Sequence, residues 1–126
     1  MAEKVRALII DDELAVLESF KMILEIKDYQ VATAQNMEEA LAAVKKDAFD
    51  IAFIDLRFGG KEIGLDILKS IKEISPRIEA VIVTAFASES SKISAVQLGA
   101  MDYISKPFMV EVIYELVDRA IAKRKM

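Results

Sequence analysis

Hydrophobic and polar positions along this chain alternate between two periods. Short runs of consecutive apolar residues are typical of strands buried on both faces of a parallel sheet. Between these runs, apolar residues recur every three or four positions among charged ones, which is typical of amphipathic helices. The pattern predicts strands at 5–10, 30–34, 51–55, 80–84 and 102–105. It predicts helices at about 13–26, 37–46, 65–74, 88–98 and 109–123.

Five strand–helix units in succession predict one α/β domain with a parallel sheet and helices on both of its faces. The length of 126 residues suits a single domain over residues 1–126, since no repeat or linker interrupts the pattern. Asn36, followed by acids in the next turn, predicts a capped helix start. Gly99 is well placed to end the fourth helix.

Composition excludes several kinds of protein. With 54% hydrophobic and 30% charged residues, the chain is expected to fold rather than remain disordered. The net charge of -4 disfavours nucleic acid as a partner of this domain alone. The lack of Cys and His excludes thiolate and imidazole chemistry. No apolar run is long enough to cross a membrane and no signal peptide precedes the first strand, so we expect a cytoplasmic protein.

Acidic side chains stand at the ends of two predicted strands. Asp11 and Asp12 follow the first strand, and Asp55 ends the third. Parallel strands end at the same edge of a sheet, so the three carboxylates should lie close together and repel one another unless a cation neutralises them. Mg²⁺ is the natural candidate because it prefers oxygen ligands. For Asp11 and Asp12 alone, helix capping is an alternative interpretation.

A hydroxyl and an ammonium group are predicted at the same edge. Thr84 ends the fourth strand and Lys106 follows the fifth. Together with a metal and a reactive carboxylate, they suit phosphoryl transfer onto that carboxylate, since cations and hydrogen-bond donors neutralise charge on the phosphoryl oxygens. Taken singly, Thr84 is an ordinary strand residue and Lys106 with Pro107 is a surface turn.

At this point the chain resembles the receiver domain of two-component response regulators over essentially its whole length. The matching residues are Asp11-Asp12, Asp55, Thr84-Ala85, Tyr103 and Lys106-Pro107-Phe108. The resemblance implies a doubly wound, flavodoxin-like sheet of strand order 2-1-3-4-5 flanked by five helices. It also implies that Asp55 accepts a phosphoryl group from a phosphohistidine of a sensor histidine kinase or phosphotransfer protein.

The resemblance further implies a role for each residue of the pocket. Asp12, Asp55 and the backbone carbonyl of Arg57 would hold Mg²⁺, and Asp11 would act largely through its water shell. Thr84 and Lys106 would contact the phosphoryl oxygens. The domain would catalyse its own phosphotransfer and dephosphorylation without being an enzyme in the usual sense.

A conformational switch is implied as well. Thr84 would be drawn toward the phosphoryl group, and Tyr103 would turn into the space it leaves. The surface of the fourth helix, fifth strand and fifth helix would change, and a downstream effector domain or target protein would read it. Tyr103 also has a simpler interpretation as a half-buried strand aromatic. No membrane or nucleic-acid partner is implied for this domain alone.

The loop after Asp55 departs from the family pattern. Gly59 stands where receivers commonly have a proline, and Gly64 comes nine residues after Asp55 instead of eight. We therefore expect this loop to be one residue longer and more flexible than usual. Arg57, Ala85 and Phe86 are expected at the rim of the pocket, where Arg57 and Phe86 would set the lifetime of the phosphorylated state.

Other classes of protein fit less well. A haloacid-dehalogenase-type phosphatase typically needs a second acid two residues after the nucleophile, where this chain has Arg57. A flavodoxin-like nucleotide binder would need a phosphate-binding loop after the first strand, and the acids there would repel phosphate. A partner-binding pseudo-receiver that is not controlled by phosphorylation remains the main alternative. The basic end from Lys123 to Lys125 is interpreted as a helix terminus or a linker.

Overall fold

A computed structural model of the chain describes residues 4–124. The strands are β1 (Arg6–Ile10), β2 (Gln30–Ala34), β3 (Ile51–Asp55), β4 (Glu79–Thr84) and β5 (Asp102–Ser105). The helices are α1 (Leu14–Glu25), α2 (Met37–Lys46), α3 (Ile63–Ile74), α4 (Glu89–Gln97) and α5 (Val110–Arg124). All strand pairs are parallel, and the order β2-β1-β3-β4-β5 confirms the predicted doubly wound, flavodoxin-like fold.

The sheet separates two hydrophobic cores, because successive residues of a strand face opposite sides. Leu8 and Ile10 of β1 face the core beneath α2 and α3, whereas Ile9 faces the core beneath α1 and α5. Both faces of the central strands are therefore apolar, which explains their unbroken hydrophobic runs. Among residues 4–124, no helix combines the length and apolarity that a bilayer crossing requires.

The element boundaries lie within one residue of the prediction except at the start of α3, which differs by two. Helix α3 begins at Ile63 rather than at residue 65, so that Gly64 lies in its first turn. Strand β4 begins at Glu79, one residue before the predicted start. In the structure Glu79 is only 9% exposed and lies 3.4 Å from the ammonium group of Lys123, so its carboxylate is paired.

Two ion pairs anchor the end of α5 to the N-terminal edge of the sheet. This edge is opposite the one that carries Asp55 and Thr84. Lys123 contacts Glu79, and Arg124 contacts Asp50, which is 6% exposed and also accepts a hydrogen bond from the backbone N–H of Arg6. Lys123 and Arg124 lie in the last described turn of α5, and their interpretation as a helix terminus stays a prediction. Lys125 lies outside the described residues.

Helix α4 is capped at both ends, although only Gly99 at its C-terminal end was predicted as a cap. The side chain of Ser88 accepts a hydrogen bond from the backbone N–H of Ser91, and Gly99 follows the helix with φ 95°. The only buried residues of α4 are Ser91 and Ala95. Apolar burial therefore contributes little to holding this helix in place. Helix α2 has its predicted cap too, since Asn36 accepts from the N–H of Glu39 at 2.9 Å.

Candidate functional site

The predicted acids come together at the C-terminal edge of the sheet. Strands β1 and β3 are neighbours with Ile10 opposite Ile54, so the residues that follow, Asp11 and Asp55, lie side by side. One carboxylate oxygen from each of Asp11, Asp12 and Asp55 lies within 4.8 Å of the others. Asp11 is 2% exposed, the side chain of Asp55 is 11% exposed, and Asp12 is exposed to solvent.

Lys106 brings a positive charge to these carboxylates. Its ammonium nitrogen lies 3.3 Å from Asp11 Oδ2 and 3.7 Å from Asp55 Oδ1. The backbone positions it, since the N–H of Lys106 donates to the carbonyl of Thr84 at 2.8 Å and extends the pairing of β4 with β5. One cation next to three acids leaves the cluster with a net negative charge, which favours a further cation.

Asp55 differs electrostatically from an ordinary surface carboxyl group. Burial and, after it, the charges of Asp11 and Asp12 together raise the pKa of Asp55 from 3.8 to about 6. The ammonium of Lys106 and the backbone N–H of Leu56 oppose this shift but do not cancel it. Near neutral pH the carboxylate is therefore mainly ionised but weakly stabilised by its surroundings, and a divalent cation would lower the free energy of that ionised form.

Thr84 lies at the end of β4 as predicted, and its side chain is 1% exposed. Its hydroxyl oxygen accepts a hydrogen bond from the backbone N–H of Phe86 at 2.9 Å, while its own proton is free to be donated elsewhere. Tyr103 is half-buried on β5, and its hydroxyl accepts from the backbone N–H of Ser88 at 3.2 Å. The structure therefore places both predicted switch residues in contact with the loop between β4 and α4.

The glycine-rich loop after β3 forms a tight turn. The backbone groups of Phe58 and Lys61 exchange two hydrogen bonds, of 2.9 and 3.2 Å. Gly59 and Gly60 between them have φ 60° and 81°, as a type I′ turn requires. Phe58 is only 8% exposed and packs into the core. The extra residue thus has a defined, hydrogen-bonded conformation, while the greater flexibility expected from sequence stays a prediction.

The rim of the site carries a cation–aromatic contact. The guanidinium carbon of Arg57 lies 4.8 Å from the centre of the Phe86 ring, so the loop after β3 contacts the loop after β4. Phe86 is 62% exposed. The cleft below has a volume of about 280 Å³ and is lined by Asp12, Glu13, Asp55, Arg57, Gly59, Gly60, Thr84, Ala85, Phe86 and Lys106. Every predicted rim residue thus lies at the cleft.

Sequence reasoning did not assign some of the residues that shape the site. Glu13, Gly59 and Gly60 line the cleft, although none was predicted to be a site residue. Ser91 was not singled out, yet its hydroxyl lies 2.6 Å from that of Tyr103. Of these residues, only Glu13 could have been identified from the sequence, because it directly follows the two acids at the end of β1. The others depend on turn geometry or on contacts between distant parts of the chain.

The acidic cleft is suited to a hard divalent cation. Both oxygens of Asp11 already have protein partners, since Oδ1 accepts from the backbone N–H of Glu13 and Oδ2 contacts Lys106. Asp12 and Asp55 present the carboxylate oxygens that remain accessible from the cleft. Few carboxylates, together with room for water, match the requirements of Mg²⁺.

Comparison with known proteins agrees with this geometry. The sequence model of the response regulator receiver domain matches residues 7–118. The alginate biosynthesis transcriptional regulatory protein AlgB of Pseudomonas aeruginosa is 41% identical over 102 residues, which are 81% of this chain and 22% of that protein. The chain spans about a quarter of the length of the curated relatives that it matches.

Solved structures agree as well. A receiver domain protein from Methanospirillum hungatei is 31% identical, with a TM-score of 0.86 over 96% of this chain and 99% of that chain. A receiver domain protein from Clostridium thermocellum is 30% identical, with a TM-score of 0.88 over 96% and 97% of the two chains. The family match over most of its length shows that the chain belongs to the response regulator receiver domains of two-component systems.

Proposed function

We propose that Asp55 is a phosphoacceptor that receives a phosphoryl group from a phosphohistidine of a sensor histidine kinase or phosphotransfer protein. The observation that carries this proposal is the position of its carboxylate. Asp55 lies in the cleft within 4.8 Å of oxygens from Asp11 and Asp12, and 3.7 Å from the ammonium of Lys106. A nucleophile beside a cation and a divalent-metal site is the arrangement that phosphoryl transfer requires.

Mg²⁺ is the proposed cofactor, held by Asp12, Asp55 and the backbone carbonyl of Arg57. Asp11 acts through water, because both of its oxygens are engaged by protein donors. When bound, the ion neutralises charge on the transferring phosphoryl oxygens. The ion would also stabilise the ionised carboxylate of Asp55 against repulsion by the neighbouring acids.

The chain's own groups account for the rest of the reaction. An oxygen of Asp55 forms a bond to phosphorus while the bond from phosphorus to the donor imidazole nitrogen breaks, and the imidazole leaves with that electron pair. The ammonium of Lys106 and the hydroxyl of Thr84 bind the transferred oxygens. Water later attacks the phosphorus of the acyl phosphate, the bond from phosphorus to the Asp55 oxygen breaks, and the carboxylate, inorganic phosphate and a proton are released. The domain thus promotes its own phosphorylation and dephosphorylation.

The direct test is labelling with acetyl phosphate. We expect intact-mass spectrometry to show the addition of a single phosphoryl group in the presence of Mg²⁺, and little or none when EDTA is present. A small-molecule donor removes the need to know the kinase. A chain that binds Mg²⁺ yet stays unlabelled would favour the partner-binding pseudo-receiver. Labelling that does not depend on the metal would contradict the proposed cleft chemistry.

The contact between Arg57 and Phe86 is proposed to slow hydrolysis of the acyl phosphate by restricting access of water to the cleft. A cation–π contact at an exposed site contributes about 1 kcal/mol, so its loss opens the rim roughly fivefold more often. We therefore expect Arg57→Ala and Phe86→Ala each to speed dephosphorylation several-fold, as followed by the decay of the labelled species. Arg57→Lys, which retains a cation over the ring, is the matched control.

A measurement of Mg²⁺ affinity distinguishes faster dephosphorylation caused by an open rim from damage to the metal site. The proposed metal ligand at position 57 is a backbone carbonyl, so Arg57→Ala should bind Mg²⁺ as the wild-type chain does. Dephosphorylation rates that do not change in either alanine variant would reject a role for the rim.

The proposed output is a change of the surface formed by α4, β5 and α5. Movement of Thr84 toward the phosphoryl group would carry the loop after β4 with it, and Tyr103 would follow. An effector domain or a target protein is the proposed reader, because the relatives are transcriptional regulators several times longer than this chain. A single receiver domain over residues 1–126, acting in the cytoplasm, is part of the same proposal.

A further inference from the structure

Hydroxyl groups, rather than apolar side chains, fasten the first turn of α4 to strand β5. The hydroxyl oxygens of Tyr103 and Ser91 are 2.6 Å apart, and those of Ser91 and Ser88 are 2.8 Å apart. Ser91 is 1% exposed, so its hydroxyl is effectively removed from water. A buried hydroxyl must find partners within the protein, and here Tyr103 is one of them.

The Tyr103 hydroxyl has two partners in the first turn of α4 and the residue before it. The backbone N–H of Ser88 can only donate, so the oxygen of Tyr103 accepts from it. The hydroxyls of Tyr103 and Ser91 share a second hydrogen bond, in which either group can be the donor. Ser91 in turn contacts Ser88, through its Oγ and through its carbonyl oxygen at 3.3 Å.

The same network holds the loop that connects β4 with α4. Near its start, the N–H of Phe86 donates to Thr84 Oγ1 at 2.9 Å. Near its end, the N–H of Ser88 donates to Tyr103. The loop is therefore bound at both ends to the two proposed switch residues. A shift of Thr84 toward Asp55 would pull Ser88 away from Tyr103 and break the network.

We propose that Ser91 is a positioning residue that holds the Tyr103 hydroxyl against α4 and thereby opposes the loop movement that accompanies phosphorylation. This inference rests on the proposed function, since it concerns the switch of the same site. A ligand that binds the conformation with the shifted β4–α4 loop must overcome the free energy of these hydrogen bonds. Weakening the hydrogen bonds should therefore strengthen binding of that ligand. One intramolecular hydrogen bond corresponds to a change of about fivefold.

The test compares Ser91→Ala with Ser90→Ala, an exposed serine on the same turn of α4. The first measurement is the ring NMR signal of Tyr103 without any phosphoryl donor. It is identified among the three tyrosines by its loss in Tyr103→Phe. The second is the affinity for beryllofluoride, a phosphoryl analogue, with Mg²⁺. We expect Ser91→Ala to move the Tyr103 signal and to bind the analogue about fivefold more tightly, and Ser90→Ala to do neither.

Tyr103→Phe supplies a second variant, because it removes the hydrogen bond to Ser91 from the other side, together with the bond from the N–H of Ser88. If Ser91 acts through Tyr103, adding Ser91→Ala to Tyr103→Phe should tighten binding little more than Tyr103→Phe alone. Unchanged or weaker binding by Ser91→Ala overturns the inference. If the wild-type chain fails to bind beryllofluoride, the proposed function fails, and the Tyr103 signal then decides whether Ser91 positions Tyr103 at all.

Discussion

Replacing Asp55 by asparagine is expected to abolish Mg²⁺-dependent labelling by acetyl phosphate. An amide oxygen is a far weaker nucleophile than a carboxylate, and a neutral side chain also binds the metal less strongly. The change removes a charge but almost no volume, so the cleft keeps its shape. Intact-mass spectrometry measures the result directly, and stoichiometric labelling of Asp55→Asn would exclude Asp55 as the phosphoacceptor.

The same substitution should stabilise the metal-free chain at neutral pH. The pKa of Asp55 is raised from 3.8 to about 6 by burial and by neighbouring acids, so the folded chain holds its proton more tightly than the unfolded chain does. Below pH 3.8, Asp55 is protonated in both the folded and the unfolded chain, so replacing it by Asn changes the stability little. As pH rises toward 6 the unfolded chain ionises first, and folding loses about 2 kcal/mol once the solvent reaching the cleft is allowed for.

Urea denaturation at several pH values measures this effect. We expect Asp55→Asn to be more stable than the wild type at pH 7 without metal, and the difference to disappear toward pH 4. Mg²⁺ should stabilise the wild-type chain more than the variant, because it binds the folded state. Asp118→Asn, which removes an exposed carboxylate from α5, is the control for loss of charge alone. An equal gain from Asp118→Asn would mean that repulsion within the cleft is not the cause.

Gly64→Ala is expected to destabilise the fold by about 3 kcal/mol, because its new methyl group meets backbone rather than a flexible side chain. A Cβ built on Gly64 would lie 2.2 Å from the carbonyl oxygen of Asp55 and 2.8 Å from Leu56 Cα. The N–H of Gly64 also donates to the carbonyl of Leu56 at 2.9 Å, so the helix start cannot move away without losing this bond. Urea denaturation measures the loss.

Gly60→Ala is the matched control. Gly60 has φ 81° but nothing within 4 Å of a built Cβ, so only backbone strain of about 1 kcal/mol applies. The clash at Gly64 falls on the backbone that precedes the proposed carbonyl ligand at Arg57. We therefore expect Gly64→Ala, but not Gly60→Ala, to lower stabilisation by Mg²⁺. Equal losses of stability in the two variants would show that close approach is not what requires glycine at position 64.

The sequence predicted the main parts of the fold because each leaves a local signal. Runs such as 51–54 are apolar on both faces only when helices cover both sides of a parallel sheet. That topology in turn places Asp11, Asp55, Thr84 and Lys106 at one edge, since parallel strands end together. The common edge of the predicted site residues therefore followed from the alternation of strands and helices, while the strand order was implied by the resemblance to receiver domains.

Only the tertiary structure decided the rest, because it depends on contacts between segments far apart in sequence. The sequence on either side of Gly64 does not indicate that its Cα lies against the backbone of Leu56. The turn at Gly59 and Gly60 looked like a loose loop, since positive φ angles and cross-turn hydrogen bonds are not encoded by glycine alone. Likewise, Ser91 is an ordinary polar residue of a helix until folding buries it against Tyr103. The cluster of acids around Asp55 was predictable from the chain, whereas the groups that hold its surroundings in place were not.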